Sequence, residues 1–340
     1  MISLQDRSRH LSISDSSQVG DARRVAAGLA EAVGLNATQK GQVSIIATEL
    51  ANNILKHAQR GEIILRTIQQ GGRRGVELLS LDHGPGMADV EKCLQDGYST
   101  AGSCGTGLGS ISRLSTRFDI YSVPQQGTVI LAEVLEMGKE TPSGFEAGAI
   151  CLPMHEGEGC GDAWSARSAG ESVEILMVDG LGHGEFAAMA ADEAVRIFQE
   201  NKNPDLVEQM QYLHGALKKT RGAAVALARL DAGRRQLSYV GLGNIAGCIV
   251  TGEQSRSLLS QNGTVGHVME RVREFTYDWS PESRLVMHSD GLTTKWDLQK
   301  YPGLQSRRPA VVAGVLFRDC RRQRDDASVL VLREAARKAK

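Results

Sequence analysis

Two groups of residues in this 340-residue chain have the types and spacing to do chemistry. In the first, Glu49, Asn53 and His57 recur at i, i+4 and i+8, which puts them on one face of a helix. A carboxylate and a carboxamide so placed can hold a water or substrate hydroxyl together with Mg2+. Downstream, Asp82-His-Gly-Pro-Gly86 sets a fixed acceptor at a strand end, beside backbone without side-chain bulk. That suits a base bearing an amino group. The run Ala101 to Gly109 carries Gly102, Gly105, Gly107 and Gly109, whose bare N–H groups can face phosphates, with a helix N-terminus from Ile111 onward.

The second group is acidic: Cys160-Gly-Asp162, Val178-Asp179-Gly-Leu-Gly-His-Gly184, Ser289-Asp290-Gly-Leu292 and Arg324-Asp325-Asp326-Ala-Ser328. Asp179 and Asp290 each end an apolar run, EILMVDG and RLVMHSDG, so each carboxylate is delivered to a sheet rim where the chain turns. Carboxylates gathered without partners repel and raise one another's pKa. Hard divalent cations relieve that, and an oxygen-only donor set suits Mg2+ or Mn2+, not zinc. Two such ions ~4 Å apart activate water for in-line attack on phosphorus.

Singly, each signal has an ordinary explanation: a solvated helix face, a turn, a flexible glycine loop, a hairpin Asp-Gly. Their order along the chain is what gives them weight. The elements that must position them are legible as well. Ala22–Val33 and Gly41–His57 have helical apolar periods. Strands are expected at 62–68, 76–81, 119–123 and 128–133, with the turn-prone QQGGRRG between the first two. The polar stretch 137–148, MGKETPSGFEAG, reads as a linker. Beyond it, strands are expected at 172–178, 223–230, 237–240, 246–250, 272–277, 284–288 and 327–332, and helices at 185–199, 205–218 and 309–322.

Composition sets the outer limits. A net charge of −1 provides no global field for nucleic acid or an anionic membrane. The 38 glycines against 8 prolines point to close backbone approaches rather than low complexity. Six cysteines without a C-x-x-C pair disfavour a zinc framework. Neither a signal peptide nor a membrane-spanning run is evident, so a reduced, cytoplasmic protein is expected.

Taken in order, the first group resembles the GHKL ATPase superfamily, and within it the anti-sigma-factor and stressosome switch kinases of RsbT and RsbW type. ATELANNILKHA resembles their N box, DHGPGM and GTGLGSISRL their two glycine boxes, and Gly127-Thr128 their late G-T pair, over roughly residues 15 to 137. The resemblance implies a Bergerat α/β sandwich binding ATP with Mg2+. Asn53 would hold the metal and Glu49 would act as catalytic base. Asp82, with Gly84, Gly86 and Thr128, would receive the adenine, and Gly105, Gly107 and Gly109 would cover the phosphates. His57 would be structural, and His83 stands where that family often has Asn.

The acidic group resembles the SpoIIE branch of the PPM metal-dependent Ser/Thr phosphatases, over roughly residues 145 to 333, in a compact, sensor-less form of RsbX type. RGAAVALARLD and LSYVGLGNIAG resemble its central strands. This implies an α-β-β-α sandwich with two Mn2+ or Mg2+ ions. Asp179 would bridge them as the central catalytic ligand, the Gly180 carbonyl would bind one, and Asp162, Asp290 and Asp325 would complete the set. His183 would shape the turn, Asp326 would support the ligands from behind, and Cys160 replaces the family's first glycine.

The expected protein therefore has two α/β domains, 1–137 and 149–340, joined by 138–148. The function implied is a bifunctional switch: a kinase head and a phosphatase head acting on Ser or Thr of STAS-domain antagonist proteins in a stress or sigma-factor partner-switching pathway. A sigma-factor regulator is a further candidate partner, and homodimers occur among relatives of the first half. Two alternatives stand beside it: a phosphatase gated by a nucleotide-sensing, non-transferring module, and a binding protein that sequesters its partner.

Overall fold

The computed structural model describes residues 8–95, 107–139, 141 and 143–335. The chain runs β1 (Arg9–Ile13), α1 (Ser17–Ala32), α2 (Ala37–Asn53), β2 (Gly61–Gln70), β3 (Arg73–Asp82), α3 (Val90–Cys93), α4 (Gly107–Leu114), β4 (Arg117–Ser122) and β5 (Thr128–Leu135). It continues with β6 (Phe145–Leu152), β7 (Asp162–Ala169), β8 (Ser172–Gly180), α5 (Glu185–Glu200), α6 (Leu206–Leu217), β9 (Ala223–Asp231), β10 (Gln236–Leu242) and β11 (Ala246–Thr251). The last elements are β12 (Gln254–Ser257), β13 (Ser260–Gln261), β14 (Phe275–Asp278), β15 (Arg284–His288), α7 (Pro309–Cys320) and β16 (Ala327–Glu334). Two compact units result: among the described residues Ser306–Arg318 groups with those from 8 to 141, while those from 143 to 305 group with those from 319 to 335.

In the first unit five antiparallel strands lie in the order β1-β2-β3-β5-β4. The β2–β3 hairpin closes on Gly71-Gly72, whose φ values of 55° and 79° are those of a type I′ turn. Alternation along the strands sends Ile63, Leu65, Val76, Leu78, Ile130, Ala132 and Val134 to one face, under Ala22, Ala26, Val43, Ile46 and Leu50 of α1 and α2. Helix α2 begins with a reciprocal capping box between Asn36 and Gln39. The Gln39 amide then donates to the Leu135 carbonyl at 2.7 Å, tying the helix to β5.

On the other face of this sheet, Leu79, Leu81 and Val129 pack around Gly314 of α7. That helix is apolar on every side, with Val311, Val312, Ala313, Val315, Leu316 and Phe317 all buried. Asp119 of β4 accepts from the Arg308 N–H at 2.7 Å and pairs with Arg307 at 3.4 Å, while Arg318 donates to the Asp82 carbonyl at 3.1 Å.

The second unit is PP2C-like. One sheet runs β13-β10-β9-β8-β7 with β14 against β10, and the other runs β12-β11-β15-β16-β6. Residues such as Trp164, Ile175, Met177, Tyr239, Leu285, Met287 and Leu330 fill the space between them. Helices α5 and α6 cover the β7–β10 sheet through Ala191, Ala194, Val195, Phe198, Leu206, Met210 and Leu213. The stretch 137–148, read from its polarity as a linker, is shorter than expected. Phe145–Leu152 is β6, paired along its length with β16, and its glycine and alanine at 147–149 carry too little bulk to announce a strand. No described helix is long and apolar enough to cross a membrane.

Candidate active sites

The first site forms where α2, β3, α4 and β5 meet. Glu49 and Asn53 sit half-buried on the last turns of α2. The helix then passes into a π turn, Ile54–Ala58, which breaks the 3.6-residue period, and His57 lies exposed. Gly107, the first residue of α4, stands so close that a β-carbon there would come within 2.9 Å of the Glu49 carboxylate and 3.4 Å of the Asn53 carboxamide. Gly109 is buried two residues further along α4. Gly102 and Gly105 lie outside the described residues.

Asp82 ends β3 directly opposite Thr128, the first residue of β5. One of its oxygens accepts from the N–H groups of Gly84 at 2.8 Å and Thr128 at 3.2 Å. The Thr128 hydroxyl meets that of Ser122 at 2.9 Å, and Ser122 in turn accepts from the Met87 N–H at 2.8 Å. Burial raises the Asp82 pKa against the pull of these two hydrogen bonds. No protein donor among the described residues takes the other carboxylate oxygen. Gly86 and Gly127, with φ of 66° and 79°, press against the Val123 and Asp82 carbonyls, where a side chain has no room. The chemistry of this donor set fits a nucleotide: a half-buried carboxylate whose second oxygen is open to an exocyclic amine, and a second carboxylate beside a carboxamide, 33 and 29 residues earlier in the chain.

The second site gathers at one end of the two-sheet unit. Asp162 opens β7 and Asp179 closes β8, and the two are partners across the ladder. Asp290 follows β15, and Asp325-Asp326 precede β16. Two links join these ends. The Ser289 hydroxyl donates to Asp162 at 2.5 Å, and the Asn244 amide donates to Asp290 at 2.7 Å while also bonding Asp179. Asp326 is turned inward, accepting from the Met154 and Gly161 N–H groups at 2.6 and 2.5 Å, so it braces the loop that carries Asp162. Gly180 packs against the Ala187 carbonyl of α5 too closely for a side chain.

The electrostatics are those of uncompensated negative charge. Burial, then Asp179, raises Asp162 well above the usual carboxylate range, and the Ser289 and Ser328 hydroxyls only partly offset this. Asp179 is pushed up to about 7 by burial, then by Asp290, Asp325 and Asp326. Burial and Asp290 raise Asp325 as well. Among the described residues no three carboxylate, imidazole or thiol groups already surround one point at ligand distance. An all-oxygen set with no cationic partner fits Mg2+ or Mn2+.

The sequence-expected residues Asp162, Asp179, Asp290 and Asp325 thus share one electrostatic neighbourhood, with Gly180 beside them. Asn244, Ser289 and Ser328 were not expected. Ser289 and Ser328 belong to the acidic motifs themselves, but no role attached to either from the sequence. Asn244 carries no local signal beyond the preceding Gly243, held at a φ of 101° against Ala224. Cys160 does not open to the site as a free-standing thiol. It lies 3.6 Å from Cys151, and that contact together with burial raises its pKa.

Residues 13–133 match the profile of the histidine kinase-like ATPase domain, and residues 169–334 that of Stage II sporulation protein E (SpoIIE). Over 111 residues the chain is 33% identical to the serine/threonine-protein kinase RsbT of Bacillus subtilis (strain 168), covering 33% of this chain and 84% of that protein. Over 135 residues it is 22% identical to the phosphoserine phosphatase RsbX of the same organism, covering 39% of this chain and 67% of that protein. A chain from the solved structure of the bacterial stressosome, described as a modular system adapted to control secondary messenger signaling, superposes with a TM-score of 0.52 at 26% identity, over 56% of this chain and 100% of that one.

Proposed function

Because the chain belongs to the histidine kinase-like ATPase family in its first half and to the SpoIIE family of PPM phosphatases in its second, we propose that it is a two-headed phosphorylation switch. One head transfers phosphate from ATP to Ser or Thr of a STAS-domain partner. The other removes phosphate from that partner or a companion in a partner-switching pathway. The observation that carries this reading is the gathering of Asp162, Asp179, Asp290 and Asp325 at one end of a PP2C-like unit, where each of Asp162, Asp179 and Asp325 is raised by burial and by a neighbouring carboxylate.

In the first head, Asp82 accepts from the adenine amine through its free oxygen, and Gly86 and Gly127 keep that wall flat. Glu49 takes the proton from the partner's hydroxyl, and Asn53 is the ligand for Mg2+. Gly107 brings the first turn of α4 close against both side chains, and with Gly105 and Gly109 it would cover the phosphates of a bound nucleotide. In the second head, Asp162, Asp179, Asp290, Asp325 and the Gly180 carbonyl hold two Mn2+ or Mg2+ ions, whose chemistry when bound is to neutralise phosphoryl oxygens and acidify water. Ser289 and Asn244 orient Asp162, Asp179 and Asp290, and Asp326 fixes the loop behind them.

The test is phosphate exchange on a STAS-domain protein incubated with the chain, ATP and Mn2+. Glu49→Ala should abolish incorporation and leave release intact, and Asp179→Ala should do the reverse. Unchanged phosphate on the partner in both variants would refute the proposal. A second reading, in which nucleotide occupancy gates the phosphatase, is favoured by one observation. Arg318 donates to the carbonyl of Asp82 within the nucleotide unit, and the chain needs only seven more residues to reach Asp325.

A further inference from the structure

Cys151 and Cys160 bracket a ten-residue stretch, CLPMHEGEGC, that leads from the end of β6 to β7. Both residues are half-buried, and their Sγ atoms lie 3.6 Å apart. The surrounding structure holds them there. Asp326 ties down both feet of the stretch, accepting from the Met154 N–H at 2.6 Å and from the Gly161 N–H at 2.5 Å. Gly161 has no room to shift, since a β-carbon there would come within 2.7 Å of Ala187 and 2.9 Å of the same carboxylate. Cys151 is fixed in β6 opposite Ser328 of β16. The crest between the two cysteines, His155 to Glu158, is exposed, which gives a small oxidant access.

The pair is linked to the acidic site. The Cys151 thiol donates to the Asp162 backbone carbonyl at 3.2 Å, and Cys160 stands two residues before Asp162. Ser328, across the ladder from Cys151, donates its N–H to the Ser289 hydroxyl at 3.1 Å, and that hydroxyl donates to the Asp162 side chain. A disulfide holds its sulfurs about 2.05 Å apart, about 1.5 Å closer than they stand in the reduced pair. It also has no S–H, so the Asp162 carbonyl would lose its sulfur donor. Because β6 is paired along its whole length with β16, the displacement falls on the segment from Cys160 to Asp162.

We propose that Cys151 and Cys160 form a reversible disulfide on exposure to a peroxide, and that this modification weakens cation binding at the acidic site. One thiol gives up its proton and its sulfur attacks a peroxide oxygen. An S–O bond forms, the O–O bond breaks, and the departing oxygen leaves as water. The second sulfur, losing its own proton, displaces the hydroxyl of that sulfenic acid, so that the S–S bond forms, the S–O bond breaks and a second water leaves. Two thiols lose two electrons and hydrogen peroxide is reduced to two waters. In a reducing compartment, exchange with free thiols restores the pair. The accompanying loss of phosphate release rests on the phosphatase reading of this site, whereas formation of the bond does not.

The full chain, reduced and freed of metal, would be treated with hydrogen peroxide and desalted. Cleavage after Glu156 and Glu158 by a Glu-specific protease puts the two cysteines on separate fragments, so mass spectrometry should find those fragments joined, and dithiothreitol should part them. Calorimetry should show Mn2+ binding about tenfold weaker in the oxidised chain, the scale of losing a hydrogen bond behind a metal ligand, with recovery on reduction. Cleavage of a phosphoserine peptide at limiting Mn2+ should fall in step. Cys151→Ser and Cys160→Ala should each bind Mn2+ equally well before and after peroxide. Absence of the joined fragments, or a joined chain that binds Mn2+ as tightly as the reduced one, would overturn the proposal. So would an equal loss in both variants, which would place the damage at another residue. A protein that shows the bond and the weakened Mn2+ binding, yet cleaves no peptide when reduced, would uphold the proposal and refute the phosphatase reading. A reduced chain that takes up no Mn2+ would overturn both.

Discussion

Replacing Asp179 with Asn should make the metal-free protein more stable. Asp179 is held at about 7 against an ordinary 3.8, a difference of about 3 pH units, or about 4 kcal/mol at 1.36 kcal/mol per unit. Because the folded value lies above the unfolded one, the native state holds the extra proton between about pH 4 and 7. The wild type's stability is therefore fully present below about 4 and is lost as the pH rises through 7. Asparagine has the same shape and no charge, so the variant should gain up to ~4 kcal/mol at pH 8 and nothing near pH 4. Manganese should narrow the difference. Ions bound only by the folded wild type add about 2.7 kcal/mol at a hundredfold excess over Kd, and the variant forfeits that gain. The assay is urea unfolding in EDTA or Mn2+ followed by tryptophan fluorescence. All three tryptophans, Trp164, Trp279 and Trp296, lie in the second unit, so the signal reports that unit alone. The reasoning is refuted if the variant is no more stable than wild type at pH 8 in EDTA, or if the gap between them does not close on acidification.

Two further outcomes concern the nucleotide unit. Asp82→Ala should weaken ATP binding about tenfold to a hundredfold, the cost of a hydrogen bond to a charged acceptor, and should erase any preference for ATP over GTP in fluorescent-nucleotide competition. Gly127→Ala drives a methyl group toward the Asp82 carbonyl at a φ of 79°, and should lower the unit's unfolding free energy by about 1–3 kcal/mol in circular-dichroism melts, with weaker ATP binding alongside.

The site was legible in the sequence wherever a motif marks the end of an apolar strand. EILMVDG and RLVMHSDG announce both the strand and the carboxylate it delivers, and β15 spans 284–288 as expected. Strands whose burial is polar were hidden. β7, DAWSARSA, has no apolar alternation because Arg167 is neutralised by Glu174, a partner that only the fold supplies. β1 is five residues of mixed polarity whose place depends on pairing with β2. The π turn after Asn53 left no trace, since ILKHA continues the helical pattern, yet it decides that His57 leaves the face shared by Glu49 and Asn53. Asn244 was invisible because it gains meaning only from Asp290, a residue more than 35 positions away.

Helix α7 has an implication for how this molecule can be taken apart. The polypeptide leaves the first unit after Thr141, returns at Ser306 and departs again after Arg318. A protease nick between 138 and 144 would therefore cut the backbone without releasing either half. A gene fragment stopping at 141 would encode a sheet stripped of the helix that shields Leu79, Leu81 and Val129, and would be prone to aggregate. The two units are stitched rather than strung, so excising the first for assay means carrying Ser306–Arg318 along with it.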